Sequence, residues 1–164
     1  MIGKWAHALA VAGGVVALDQ LTKAIVASRM TLHDSIPVVD GYFALTYVRN
    51  TGAAFGIFAG RLLAFRVPFF LAVSAFAVAL LLWFLRGVPA ERRWVVTACG
   101  AVVGGAIGNM IDRLAYGEVI DFLDVFVGPY HWPAFNVADM AITLGVLGLC
   151  LDALRQPEPS RALS

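Results

Sequence analysis

Residues 94–113 read WVVTACGAVVGGAIGNMIDR. From Trp94 to Ile111 the stretch is apolar or small at almost every position, close to the roughly 20 residues that carry a helix across a bilayer. Gly104 and Gly108, four apart, form a small-xxx-small ridge on which another helix can pack closely. The stretch then turns polar. Asn109 and Asp112 share a helix face at spacing three, and Arg113 follows directly. Such an end can be a helix terminus snorkelling to the interface. Three polar groups beside a glycine-lined packing face favour a network that supports a site.

Three further stretches have the same character: Trp5–Ser28, Val67–Leu85 and Val137–Leu154. The 164 residues are 60% hydrophobic and only 14% charged, with a mean hydropathy of +0.81, which is membrane-protein composition. The expectation is one integral membrane domain over residues 1–164. A net charge of +1 with no basic run excludes a nucleic-acid footprint. Cys99 and Cys150 lie in apolar spans without CxxC or His company, so neither a metal site nor a disulfide framework is expected, and no cofactor. Lys4 and the apolar run after it resemble a signal peptide. Asp19, Gln20 and Lys23 interrupt that run and no cleavage site is convincing, so it reads as a retained first helix.

Four spans put both termini on one side. Lys4, Arg86, Arg92, Arg93, Arg155 and Arg161 face that side, against Arg29, Arg49, Arg61, Arg66 and Arg113 on the other. The excess is small, but it makes the terminal side cytoplasmic. Trp5, Trp83 and Trp94 mark the inner interface and Trp132 the outer one. In the first outer connection, Asp40-Gly41 between runs rich in β-branched and aromatic residues signals a hairpin, so residues 30–62 are expected to form a β-rich cradle. In the second, Leu114 to Asn136, Glu118, Asp121 and Asp124 recur at spacing three, which predicts a short amphipathic interfacial helix. The tail, 156–164, reads as disordered. The predicted fold class is an all-α membrane protein with four transmembrane helices, an outer-face β-rich cradle and a short interfacial helix.

Asp121 and Asp139 sit at the edges of apolar segments, where an acid is costly unless paired, neutralised or wet. Each has a plain explanation. Asp121 is one of three acids on a solvated face, and Asp139 is a first-turn acid after an Asn136 N-cap. As a pair on one side of the membrane, near the polar end of the third span, they point to chemistry with a shared proton. Asp19 and Lys23, at i and i+4, form an ion pair that eases insertion or scaffolds a polar site. Asn50-Thr51-Gly52-Ala53-Ala54-Phe55 after the hairpin reads as an ordinary glycine turn, or as a place where an extended substrate adds as a strand.

Assembled, these residues resemble the bacterial lipoprotein signal peptidases, the type II signal peptidases. The matching blocks are Asp19-Gln20-x-Thr22-Lys23, Asn50-Thr51-Gly52-Ala53-Ala54-Phe55, Gly108-Asn109-x-x-Asp112-Arg113, Val119-Ile120-Asp121-Phe122 and Trp132-Pro133-x-Phe135-Asn136-Val137-Ala138-Asp139. They run in family order from the first helix to the fourth. The resemblance implies an inner-membrane aspartyl endopeptidase that acts on a prolipoprotein and cuts on the amino side of its diacylglyceryl-modified cysteine. It implies Asp121 and Asp139 as the catalytic pair, with Asp19, Lys23, Asn50, Gly52, Asn109, Asp112, Arg113 and Asn136 as binding or supporting residues. Membrane lipid is an implied partner, and a peptide antibiotic of the globomycin type an implied inhibitor. A competing class is a proton-coupled carrier using Asp19, Lys23, Asp112 and Asp139 as a relay. The apolar inner halves of the spans argue against it. A third is a non-catalytic assembly factor that docks through the outer hairpin.

Overall fold

The computed structural model describes residues 2–52 and 63–155. Four long helices, α1 (Ile2–Arg29), α2 (Leu63–Gly87), α3 (Arg93–Tyr116) and α4 (Val137–Arg155), are each long and apolar enough to cross a membrane. A four-stranded antiparallel sheet accompanies them: β1 (Ser35–Val39), β2 (Phe43–Asn50), β3 (Val119–Val127) and β4 (Tyr130–His131), in that spatial order. The tail, and the Ala53–Phe55 end of the glycine turn, lie outside the described residues.

Helix α3 is the hub. It packs against α1 and α4 along its length and takes α2 on a third side. Its glycines make this possible. A Cβ on Gly104 would stand 2.7 Å from the Ala12 carbonyl oxygen of α1, and one on Gly105 would overlap the Ala138 carbonyl of α4. The Gly104–Gly108 ridge read from the sequence thus abuts α1, while Gly105 beside it admits α4. Ala8, Leu85, Val88, Val95, Val96 and Cys99 form a buried cluster that closes the bundle at the end where α2 passes into α3.

The hairpin expected at Asp40-Gly41 is present, with Gly41 at φ +81° joining β1 to β2. Where an interfacial helix was expected, the chain instead forms β3 and β4. Helix α3 runs on to Tyr116 and stops at Gly117 (φ 75°), whose N–H bonds the Arg113 carbonyl at 3.0 Å. Only Glu118 then separates it from β3. The segment VIDFLDVFV is dominated by β-branched and aromatic residues, and Val119 to Phe122 are all buried. The spacing-three acids mimic the polar face of a helix, and the burial of both strand faces hides the alternation that marks a half-exposed strand. Val26 of α1, Tyr47 of β2, and Ile120 and Phe122 of β3 share a second buried cluster, which fixes the sheet on the bundle.

Candidate active site

Asp121 enters from β3 and Asp139 from the first turn of α4. Both line one cavity of about 650 Å³, bordered also by Asn50, Gly52, Asn109 and Arg113. Two asparagines link the acids. Asn136 Nδ2 donates to Asp121 Oδ1 at 2.7 Å and reaches Asn109 Oδ1 at 3.3 Å, while Asn109 Nδ2 donates to Asp139 Oδ1 at 2.8 Å. The other Asp121 oxygen accepts from Asn50 Nδ2 at 2.9 Å. Asn136 also caps α4 reciprocally with Asp139, so the plain capping explanation and the site both hold.

Asn50 reaches Asp121 because of a register shift. At the hairpin end, Leu45 pairs with Leu123; beyond the shift, Val48 pairs with Asp121. Strand β2 advances three residues while β3 advances two, so one extra residue is absorbed in β2. Without it, every later β2 side chain would change face, and Asn50 would point away from Asp121.

A buried charge cluster stands behind the acids. Lys23 Nζ contacts Asp19 Oδ2 at 2.8 Å and Asp112 Oδ2 at 2.9 Å, and donates to Asn109 Oδ1 at 3.0 Å. All three charged side chains are at most 2% exposed. Each acid then holds a backbone N–H beside the pair. Asp19 Oδ1 accepts from Ala138 N at 2.9 Å, and Asp112 Oδ2 from Ile120 N at 3.0 Å. These are the residues that immediately precede Asp139 and Asp121. Lys23 thus fastens the start of α4 and the start of β3 to one point.

The electrostatics differ from those of an ordinary carboxylate. Burial, then the nearby negative charge of Asp139, push the Asp121 pKa up to about 7, while hydrogen bonds from Asn50 and Asn136 and the charge of Lys23 pull it back. Arg113 lies over the Phe70 ring, 4.6 Å from its centroid, and reaches the Gly52 carbonyl at 3.5 Å. It spans the cavity between α3, α2 and the glycine turn.

The structure gathers all ten sequence-expected site residues. Asn50, Gly52, Asn109, Arg113, Asp121 and Asp139 line the cavity; Asp19, Lys23, Asp112 and Asn136 stand in the network behind it. Asp124 is elsewhere, bonded to His131 at 3.0 Å on the exposed hairpin. His7 bonds Thr97. Two contributors lie beyond the expected site residues: Gln20, which sits in a matching block without a site role of its own, and Thr143. Gln20 donates to Asp19, to the Gly108 carbonyl and to Asp112, and Thr143 lines the cavity one turn after Asp139. The i, i+4 spacing of Asp139 and Thr143 was the available signal.

Comparison with known proteins identifies the family. The peptidase A8 family, Signal peptidase (SPase) II, matches residues 11–155. The lipoprotein signal peptidase of Syntrophus aciditrophicus is 51% identical over 148 residues, covering 90% of this chain and 92% of its own. That of Geobacter sulfurreducens is 46% identical over 147 residues, covering 90% and 91%. A bacterial membrane enzyme solved by the in meso method superposes with a TM-score of 0.81 at 32% identity, over 93% of this chain and 92% of that one. From its first helix to its last, this chain belongs to the signal peptidase II family of aspartic-type peptidases.

Proposed function

We propose that Asp121 and Asp139 are the catalytic dyad of a membrane endopeptidase that removes signal peptides from prolipoproteins, cleaving before a diacylglyceryl-modified cysteine. The observation that carries the reading is the pair of acids on one cavity, joined through Asn136 and Asn109. Two such carboxylates share one proton at neutral pH. The ionised member takes a proton from a water, which adds to the scissile carbonyl. The protonated member donates to the carbonyl oxygen, and the tetrahedral intermediate collapses with loss of the C–N bond as the leaving amine is protonated. The free amine is the N-terminus of the lipidated cysteine.

The surroundings fit a peptide held near a membrane surface. Gly52 offers backbone for an extended substrate strand, and Arg113 fixes that turn through its carbonyl. Phe70, Met140 and Leu144 give the cavity an apolar wall toward the helices, suited to a signal-peptide segment and to acyl chains. The side with the termini and the α2–α3 connection is cytoplasmic, in the bacterial inner membrane, and the acids stand near the outer face. A cyclic peptide of the globomycin type would inhibit by occupying this cavity.

The test is processing of a diacylglyceryl prolipopeptide by the protein reconstituted in vesicles. Asp121→Asn and Asp139→Asn should each lower cleavage by at least about 10²–10⁴-fold while the protein stays inserted. Asp124→Asn should cleave normally. Normal cleavage by either dyad variant would refute the assignment.

A further inference from the structure

At the opposite end of the bundle a second cavity, of about 520 Å³, opens where α2 passes into α3. Two guanidinium groups, Arg86 and Arg92, line it together with the rings of Trp83 and Phe84. Asp152 of α4 pairs with Arg92 and holds it in place. Among the described residues no carboxylate pairs with Arg86. The last carbonyls of a helix ordinarily repel an anion. Here two of them are already taken: Lys4 Nζ donates to Leu85 O and to Arg86 O, each at 2.9 Å, and also to Val88 O just past the helix at 2.7 Å. Of the residues that line the cavity only Arg86 and Arg92 are charged, and Asp152 offsets one of them, which leaves a positive excess.

The cavity continues into an apolar track. Phe76, Leu80 and Phe84, each four residues from the next on α2, are 71%, 51% and 46% exposed. No residue of the most apolar 18-residue stretch of α2 is buried inside the molecule, so this stripe faces hydrocarbon. Trp83, 69% exposed, marks the headgroup level beside the arginines.

We infer that the Arg86–Arg92 cavity is a binding site for the headgroup of an anionic phospholipid, whose acyl chain lies along Phe84, Leu80 and Phe76. Basic pockets between helices at the membrane surface select anionic headgroups, and guanidinium groups suit phosphate oxygens. The inference rests on the proposed orientation only in placing the lipid in the cytoplasmic leaflet.

The experiment uses the whole protein in vesicles of equal phosphatidylglycerol and phosphatidylcholine, with bromine on the acyl chains of one lipid or the other. The quenching of Trp83 is read as the difference between the protein and its Trp83→Phe variant. Brominated phosphatidylglycerol should quench Trp83 several-fold more effectively than brominated phosphatidylcholine. Arg86→Gln should reduce that preference about fivefold, and Arg29→Gln, at the other end of α1, should leave it unchanged. Equal quenching by the two lipids, or a preference that survives Arg86→Gln, overturns the inference. So does loss of the preference on adding soluble glycerol phosphate, which would make the ligand a free anion. Both leaflets carry both lipids and no cleavage is measured, so an error in orientation or in the dyad would leave this readout intact.

Discussion

In the proposed dyad, Asp121 is the residue whose state sets the pH behaviour. With its pKa near 7 against a usual 3.8, the folded protein binds more protons at this site than the unfolded chain between those values. Its contribution to stability therefore falls as pH rises from about 4 to about 7 and is constant above that. Asp121→Asn should flatten this slope in thermal unfolding measured in detergent. Cleavage should decline on the alkaline side with an apparent pKa near 7, as the dyad loses its shared proton. Asn50→Ala removes a hydrogen bond that favours the charged form, so the alkaline limb of kcat/KM should move to higher pH. Movement to lower pH would contradict the role given to Asn50. Lys23 belongs to the same scale. Lys23→Met leaves Asp19 and Asp112 buried without a counter-charge, and should cost about 3–5 kcal/mol in unfolding titrations.

At the scale of elements, the close approach of α1, α3 and α4 positions the acids. A Cβ on Gly108 would stand 2.6 Å from Asp19 Oδ2, the carboxylate that holds Lys23 and whose other oxygen accepts from Ala138 N. Gly108→Ala should therefore cost about 1–3 kcal/mol and lower cleavage with it. Gly13→Ala on α1, where nothing lies within 4 Å of the added methyl, should cost nothing. Equal losses from the two variants, followed by unfolding and cleavage, would refute the packing argument. Strand β3 shows why an element can be misread while its key residue is found. Asp121 stood out because an acid among Val, Ile and Phe is anomalous in any secondary structure. The strand did not, because its first four residues are buried on both faces and its acids recur at helical spacing.

For the molecule as a whole, the hub position of α3 puts the sheet, the dyad and the start of α4 at one end, and the Lys4-capped α2–α3 connection at the other. Single cysteines introduced into a Cys99→Ser, Cys150→Ser background report on this polarity. In intact cells stripped of outer membrane, an impermeant maleimide should label Tyr42→Cys on the hairpin and spare Ala90→Cys in the connection. The reverse labelling would invert the proposed orientation without touching the geometry of the site.

By itself the sequence determined four apolar helices and the Asp40-Gly41 hairpin, because each depends on local composition. An acid too costly to keep in an apolar setting without a reason drew attention to Asp121 and Asp139, and the resemblance to a family nominated them and the other candidate site residues. Only the tertiary structure decided how those residues meet. It placed α3 between α1 and α4 through backbone approaches that a glycine spacing permits but does not assign. It absorbed one extra residue in β2, turning Asn50 onto the Asp121 face. It also made Lys23 the common partner of two acids, each holding the N–H of the residue before a dyad member. The Asn50–Asp121 and Asp19–Ala138 contacts join residues 71 and 119 positions apart in the chain, and no local pattern encodes them.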